Sequence, residues 1–138
     1  MIGIVLISHG GFAQGLLEAA TMIFGSAAEQ TQALGLLRQE DPASFSTRLG
    51  TAIREVDTGD GVLVLADLLG GTPCNQAARY ASDRVQILTG VNLGMLLEIL
   101  GMRGAAGALD LGEILMAGRA GINDYNALLT KDEEDEIL

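Results

Sequence analysis

Two short runs, Ile2 to Ile7 (IGIVLI) and Val62 to Ala66 (VLVLA), are apolar at every position and rich in β-branched residues. A strand with one face in water alternates polar and apolar; these do not, so each must be covered on both faces. A sheet covered on both faces needs helices, and the chain supplies helix-period segments between its strand candidates. Phe12, Leu16, Leu17, Ala20, Ile23 and Phe24 recur at helical spacing and stop at Gly25. Thr31 to Leu37 reads as a second strand. Asp41 followed by Pro42 is a cap and first-turn proline, and opens a helix with Phe45, Leu49, Ala52, Ile53 and Val56 on one face. DTGDG (Asp57 to Gly61) is a turn.

After Val62 to Ala66, Thr72-Pro73 opens a helix through Ala77, Ala78 and Tyr80, and Val85 to Leu88 is a short strand. Asn92 to Leu100 reads as a helix, GMRGAAG (Gly101 to Gly107) as a loop, and Leu109 to Ala120 as the last helix. Gly121 to Leu129 is a candidate final strand, although Asn123 and Asp124 suit strands poorly. The order β-α-β-α-β-α-β-α-α-(β) predicts a doubly wound α/β fold: one domain, residues 1–138, with a mainly parallel central sheet and helices on both faces.

Composition narrows the function. The net charge of −10 would repel a phosphate backbone, which argues against nucleic-acid binding. A single cysteine, Cys74, excludes an internal disulfide and fits a reducing cytoplasm. The N-terminus lacks a basic segment and a cleavage site, and no apolar stretch approaches the ~18 residues of a membrane span. The dense charge run Lys131 to Glu136 (KDEEDE) reads as a solvated, frayed end.

Open α/β sheets bind ligands outside the carboxyl ends of their strands, where strand order reverses. Two such ends carry chemistry. The first strand ends in Ser8-His9-Gly10-Gly11, with the only histidine of the chain; the third ends in Asp67, followed by LLGGTPCN (Leu68 to Asn75). If the two strands are neighbours, Asp67 can accept a hydrogen bond from one ring nitrogen of His9 and fix its tautomer. The other nitrogen is then left as a nucleophile or base, and the carboxylate stabilises the ring when it becomes cationic. The bland alternative is a satisfied core histidine beside a capping aspartate.

Thr72 as an N-cap and Pro73 as the first helical residue would leave free amides at a helix start, with Gly70 and Gly71 allowing close approach of an anion. The loop is not a P-loop, because no lysine follows the glycines. Cys74 could be a thiol nucleophile with His9 as base, but its place in the first helical turn suits a small buried residue better. One histidine, one cysteine and scattered carboxylates offer no zinc-type spacing, so no metal and no cofactor are expected. Met95, Met102 and Met116 read as packing, and Arg79 and Arg84 as solvating residues.

SHGGFAQGLLEAA (Ser8 to Ala20), LADLLGGTPCNQAA (Leu65 to Ala78) and TGVNLGMLLEIL (Thr89 to Leu100) together resemble the IIA domain of the mannose-type sugar phosphotransferase system, from Ile2 to about Ala120. The resemblance implies that His9 accepts a phosphoryl group from the phosphohistidine carrier HPr. It implies that His9 then passes the group to a IIB protein during sugar uptake. Asp67 would orient the imidazole and Thr72 would hydrogen-bond the phosphate. On this resemblance Gly10 and Gly11 would leave room beside His9 for a phosphoryl group. It also implies a homodimer, with a C-terminal strand exchanged between subunits, that meets the membrane only through its IIB, IIC and IID partners. The chain departs from the family at Leu69, often aromatic there, and at Cys74, often Phe; both bear on packing or partner fit. No IIB domain follows within the sequence, so IIB would be a separate protein. A regulatory phospho-acceptor without sugar transfer, or a subunit serving dihydroxyacetone kinase, would use the same histidine chemistry. The sugar itself is not readable from these residues.

Overall fold

The computed structural model describes residues 1–105 and 108–136, with side chains through residue 130. The strands are β1 (Gly3–His9), β2 (Thr31–Leu36), β3 (Val62–Ala66) and β4 (Val85–Thr89). The helices are α1 (Phe12–Ile23), α2 (Pro42–Val56), α3 (Gly71–Ala77, extended by the 3-10 turn Ala78–Tyr80), α4 (Leu93–Gly104), α5 (Leu111–Ala120) and α6 (Tyr125–Glu136). The strands form a four-stranded sheet in the order β2-β1-β3-β4, every pair parallel. The chain leaves β1 to one side for β2 and returns to its other side for β3. Strand order therefore reverses at β1, and the crevice above its carboxyl end is where such a sheet opens to ligands.

Side-chain alternation sends each strand into two cores. Ile4 and Leu6 of β1, with Leu63 and Leu65 of β3, pack against Ala13, Leu17 and Ala20 of α1, Leu96 and Ile99 of α4, and Ile114 of α5. Val5 and Ile7, with Val62, Val64 and Ala66, pack against Phe45, Leu49, Ile53 and Val56 of α2 and Cys74 and Ala77 of α3. Ile4 to Ile7 have no exposed surface at all. The unbroken apolar runs arise from this double burial, each large side chain stabilising by about 1.5–3 kcal/mol.

Side-chain caps fix where helices begin. Asp41 accepts from the Ser44 amide at 2.7 Å, Asn92 from Met95 at 2.9 Å and Asp110 from Glu113 at 3.1 Å; each cap is worth about 1 kcal/mol. Asn92 also donates to the Gly118 carbonyl at 2.7 Å, tying the start of α4 to the end of α5.

The second half departs from its sequence reading in three places. Gly101 to Gly104 continue α4 rather than forming a loop, because Met102 packs on the core and Arg103 is anchored by backbone carbonyls; Ala106 and Gly107 of that expected loop lie outside the described residues. α5 starts at Leu111, after its Asp110 cap, and is not the last helix. Gly121 to Leu129 is not a strand in the single chain: Asp124 accepts from the Ala127 amide at 3.2 Å through its side chain and from Leu128 through its carbonyl, and so starts α6. The side chains of the acidic run Lys131 to Glu136 lie outside the described residues. Among the described residues no helix is long and apolar enough to cross a membrane.

Candidate active site

His9 ends β1 and Asp67 follows β3 directly; the pairing of Ile7 with Ala66 makes them neighbours across the switch point. Oδ2 of Asp67 accepts the backbone N–H of His9 at 2.9 Å and lies 2.8 Å from its ring Nδ1. Oδ1 accepts the Leu68 amide at 2.9 Å. One carboxylate oxygen thus holds both the main chain and the ring of the histidine. The Asp67 side chain is 14% exposed and the His9 side chain 48%. Burial opposes ionisation of Asp67, but the His9 ring, the His9 amide and the Leu68 amide together hold its carboxyl below the usual aspartate value. A carboxylate facing Nδ1 makes that nitrogen the protonated one and leaves the Nε2 lone pair unengaged.

The Cε1–Nε2 edge of the ring lies beside Gly71. A Cβ placed there would come within 3.0 Å of the ring Cε1 and 3.3 Å of Nε2, and Gly71 also sits at φ +77°. Gly71 is glycine for both reasons: the backbone turns left-handed and the imidazole occupies the side-chain space. Gly70, at φ +82°, is the N-cap of α3. Thr72 is therefore not the cap, as its sequence context suggests, but lies one residue inside the helix. The left-handed glycine pair shifts the helix start towards β3. Thr72 remains beside Gly71 and partly exposed.

The glycines after His9 also shape the turn out of β1. A Cβ at Gly10 or Gly11 would meet nothing of this chain within 4 Å. Gly10 is required for its φ of +53°, which turns the chain out of β1, and its amide is committed to the Leu36 carbonyl at 3.0 Å. Gly11 is the N-cap of α1 and has an ordinary φ of −83°.

Two residues of this turn escape a motif reading. Ser8 is fully buried; its hydroxyl accepts the Ala13 amide at 2.8 Å and donates to the Gly10 carbonyl at 3.2 Å. Gly35 of β2 lies under that same carbonyl, which would be 1.9 Å from a Cβ. A hydroxyl within an apolar strand must find partners, and that was the available signal for Ser8.

Cys74 is buried in the core beneath α3, as its helical position suggested. Arg84 is occupied by Asp57, 3.2 Å away at the opposite end of the sheet, and Arg79 is exposed on the 3-10 turn. Met95 is buried and Met102 packs on the core, but Met116 is 68% exposed and fills no gap. Among the described residues no three His, Cys, Asp or Glu side chains converge as a metal site would require.

Residues 3–115 match the EIIA-man family, described as the PTS (phosphotransferase system) fructose IIA component. The chain is 33% identical over 113 residues to the fructose-specific EIIA component of Bacillus subtilis, covering 80% of this chain and 77% of that protein. It is 31% identical over 130 residues to the mannose-specific EIIAB component of Escherichia coli, covering 91% of this chain but 40% of that longer protein. Among solved structures, the PTS IIA protein associated with the fucose utilization operon of Streptococcus pneumoniae superimposes with a TM-score of 0.82 at 32% identity, covering 92% of this chain and 95% of that one. The mannose/sorbose-specific IIA subunit of Enterococcus faecalis gives 0.74 at 26% identity, with 89% and 93% covered.

Proposed function

Because the chain belongs to the EIIA-man family of phosphotransferase-system IIA components, we propose that His9 is a phosphoryl carrier, loaded by phospho-HPr and discharged to a IIB component during sugar uptake. The observation that carries this reading is the 2.8 Å contact of Nδ1 with Asp67, on a half-exposed ring whose other nitrogen is unengaged.

In the first transfer the Nε2 lone pair attacks the phosphorus in line. The phosphorus–nitrogen bond of the donor histidine breaks, and its electron pair returns to the donor ring. His9 then carries phosphate on Nε2, a proton on Nδ1 and a formal positive charge on the ring. Asp67 offsets that charge without taking the proton. The second transfer runs the same step outward: the electron pair of the breaking bond returns to Nε2, and His9 leaves as the neutral, Nδ1-protonated imidazole. Donor and acceptor bonds are of similar kind, so the relay is near balance in both directions. Stabilising the transferring oxygens is the main work left to the protein. In this reading the Thr72 hydroxyl and the amides of Gly11, Gly70 and Gly71 supply those hydrogen bonds. Gly10 and Gly11 leave room beside the ring for the transferring group, and Gly10 adds its turn.

The test is direct. Purified protein given phosphoenolpyruvate, Enzyme I and HPr gains one acid-labile phosphate, and His9→Ala gains none. Retained labelling in the variant overturns the assignment. The reading places the chain in the cytoplasm as a homodimer. Ile122 and Tyr125 are 79% and 69% exposed beyond α5, which supports a covering second copy. Light scattering should then return twice the 14.3 kDa chain mass.

A further inference from the structure

We infer that Ser8 is a positioning residue for the chemistry of His9, an inference that rests on the phosphoryl-carrier reading above. The turn following His9 is held at three points around Gly10. The Gly10 amide donates to Leu36 of β2 at 3.0 Å. The Gly10 carbonyl accepts the Ser8 hydroxyl at 3.2 Å. Beneath that carbonyl, Gly35 has no side chain to push it away. Ser8 makes this clamp rigid because its oxygen is itself fixed, accepting the Ala13 amide at 2.8 Å from the first turn of α1.

His9 sits between the two clamped residues. Upstream, Ser8 is fully buried in a central strand; downstream, Gly10 is locked at φ +53°. The imidazole inherits this placement. Its Nδ1 must meet an Asp67 oxygen that also holds the His9 amide, and Nε2 must clear the Gly71 backbone. A backbone rotation at Gly10 would move the ring against both constraints together. Ser8 touches neither the ring nor the phosphoryl group; it acts through the turn.

Removing the hydroxyl leaves a buried amide and a carbonyl without partners and frees the Gly10 peptide to rotate. Small misplacements of a reacting group reduce rates by about 100-fold. The experiment compares wild type, Ser8→Ala, Ser8→Cys and Ser8→Thr by rapid-quench labelling over a range of phospho-HPr concentrations. The ring nitrogens of His9 are followed by nitrogen-15 NMR without phosphate. Expected for Ser8→Ala are a maximal rate lower by about 10- to 100-fold, an unchanged half-saturating donor concentration, and ring shifts moving from a single Nδ1-protonated tautomer towards a tautomer average. Ser8→Thr, which keeps the hydroxyl, should recover both readouts. Ser8→Cys, of similar size with a weaker acceptor, should fall between and serves if the alanine variant does not fold.

Wild-type rate and wild-type ring shifts in Ser8→Ala overturn the inference. So does a loss expressed only in the half-saturating concentration, which would assign Ser8 to donor docking. If wild type itself takes no phosphate yet the ring shifts still respond to Ser8→Ala, positioning stands and the carrier reading falls.

Discussion

At the scale of single residues, the site concentrates on one atom, Oδ2 of Asp67, which serves both the amide and the ring of His9. Asp67→Asn keeps the size and an amide oxygen but loses the charge opposite Nδ1. Hydrogen bonds to charged groups are worth about 1.5–3 kcal/mol, so the labelling rate should fall by about 10- to 100-fold, with circular dichroism unchanged. An unchanged rate would remove the carboxylate from the mechanism. The lowered pKa of Asp67 also sets a pH window. A carboxyl depressed by folding contributes stability in full above its unfolded value, and loses it as pH falls through the lowered folded value. Asp67 is therefore ionised throughout the neutral range, and the labelling rate should show no carboxylate titration between pH 5 and 8. Gly71→Ala attacks the other side of the ring. Its methyl would stand 3.3 Å from Nε2 on a backbone at φ +77°, so labelling should be lost while Asp67 stays in place. Rapid labelling of that variant would mean that Nε2 is not the attacking nitrogen.

At the scale of elements, the end of β2 that supports the Gly10 turn is itself braced from α2. Arg48 donates to the Gly35 carbonyl at 2.7 Å and to both oxygens of Glu40, at 2.8 and 2.9 Å. Glu40 also accepts the Leu37 amide, and its side chain is only 5% exposed. The Arg48 hydrogen bonds, opposed by burial, lower its pKa from 4.5 to about 2. The brace is therefore complete above about pH 4.5 and lost as pH falls towards 2. Thermal midpoints measured between pH 5 and pH 2 should fall less steeply in Glu40→Gln than in wild type; parallel slopes would show that the pair does not link stability to pH in this range.

The strands and the His9–Asp67 pair were legible in the sequence because double burial and strand-end polarity leave direct traces in residue type. Helix boundaries in the glycine-rich segments were not. The start of α3 depends on two left-handed glycines that a Thr-Pro pair conceals. The extension of α4 through Gly104 depends on where the Arg103 guanidinium finds acceptors, which no local pattern encodes. The segment after Gly121 offers apolar residues to strand or helix alike, and in the single chain the Asp124 cap starts a helix.

At the scale of the whole molecule, chemistry and anchorage occupy opposite ends of the sheet. The carboxyl edge carries His9, Asp67 and the exposed side chains of Phe12, Leu37, Leu68 and Leu69. The amino edge is tied by Arg103, whose guanidinium donates to the carbonyls of Ile2, Gln30, Ala27 and Glu29 and to the Thr31 hydroxyl. Arg103→Met should destabilise the fold by about 2–3 kcal/mol, chiefly by stranding these acceptors, while the labelling rate of the folded protein stays at the wild-type value. A loss of rate at full foldedness would show that the two ends communicate. Between them runs β1, sealed by a strand on either side and a helical layer on either face. Its amides from Ile4 to Ile7 should exchange with deuterium only when the whole molecule opens. The amide of His9 is different, because its acceptor is the oxygen that also answers to the ring. If His9 carries phosphate on Nε2 as proposed, the ring charge would draw that oxygen towards Nδ1–H and slacken its grip on the main chain. The exchange rate of this single amide, read against the silent strand behind it, becomes an isotopic gauge of whether the histidine is loaded.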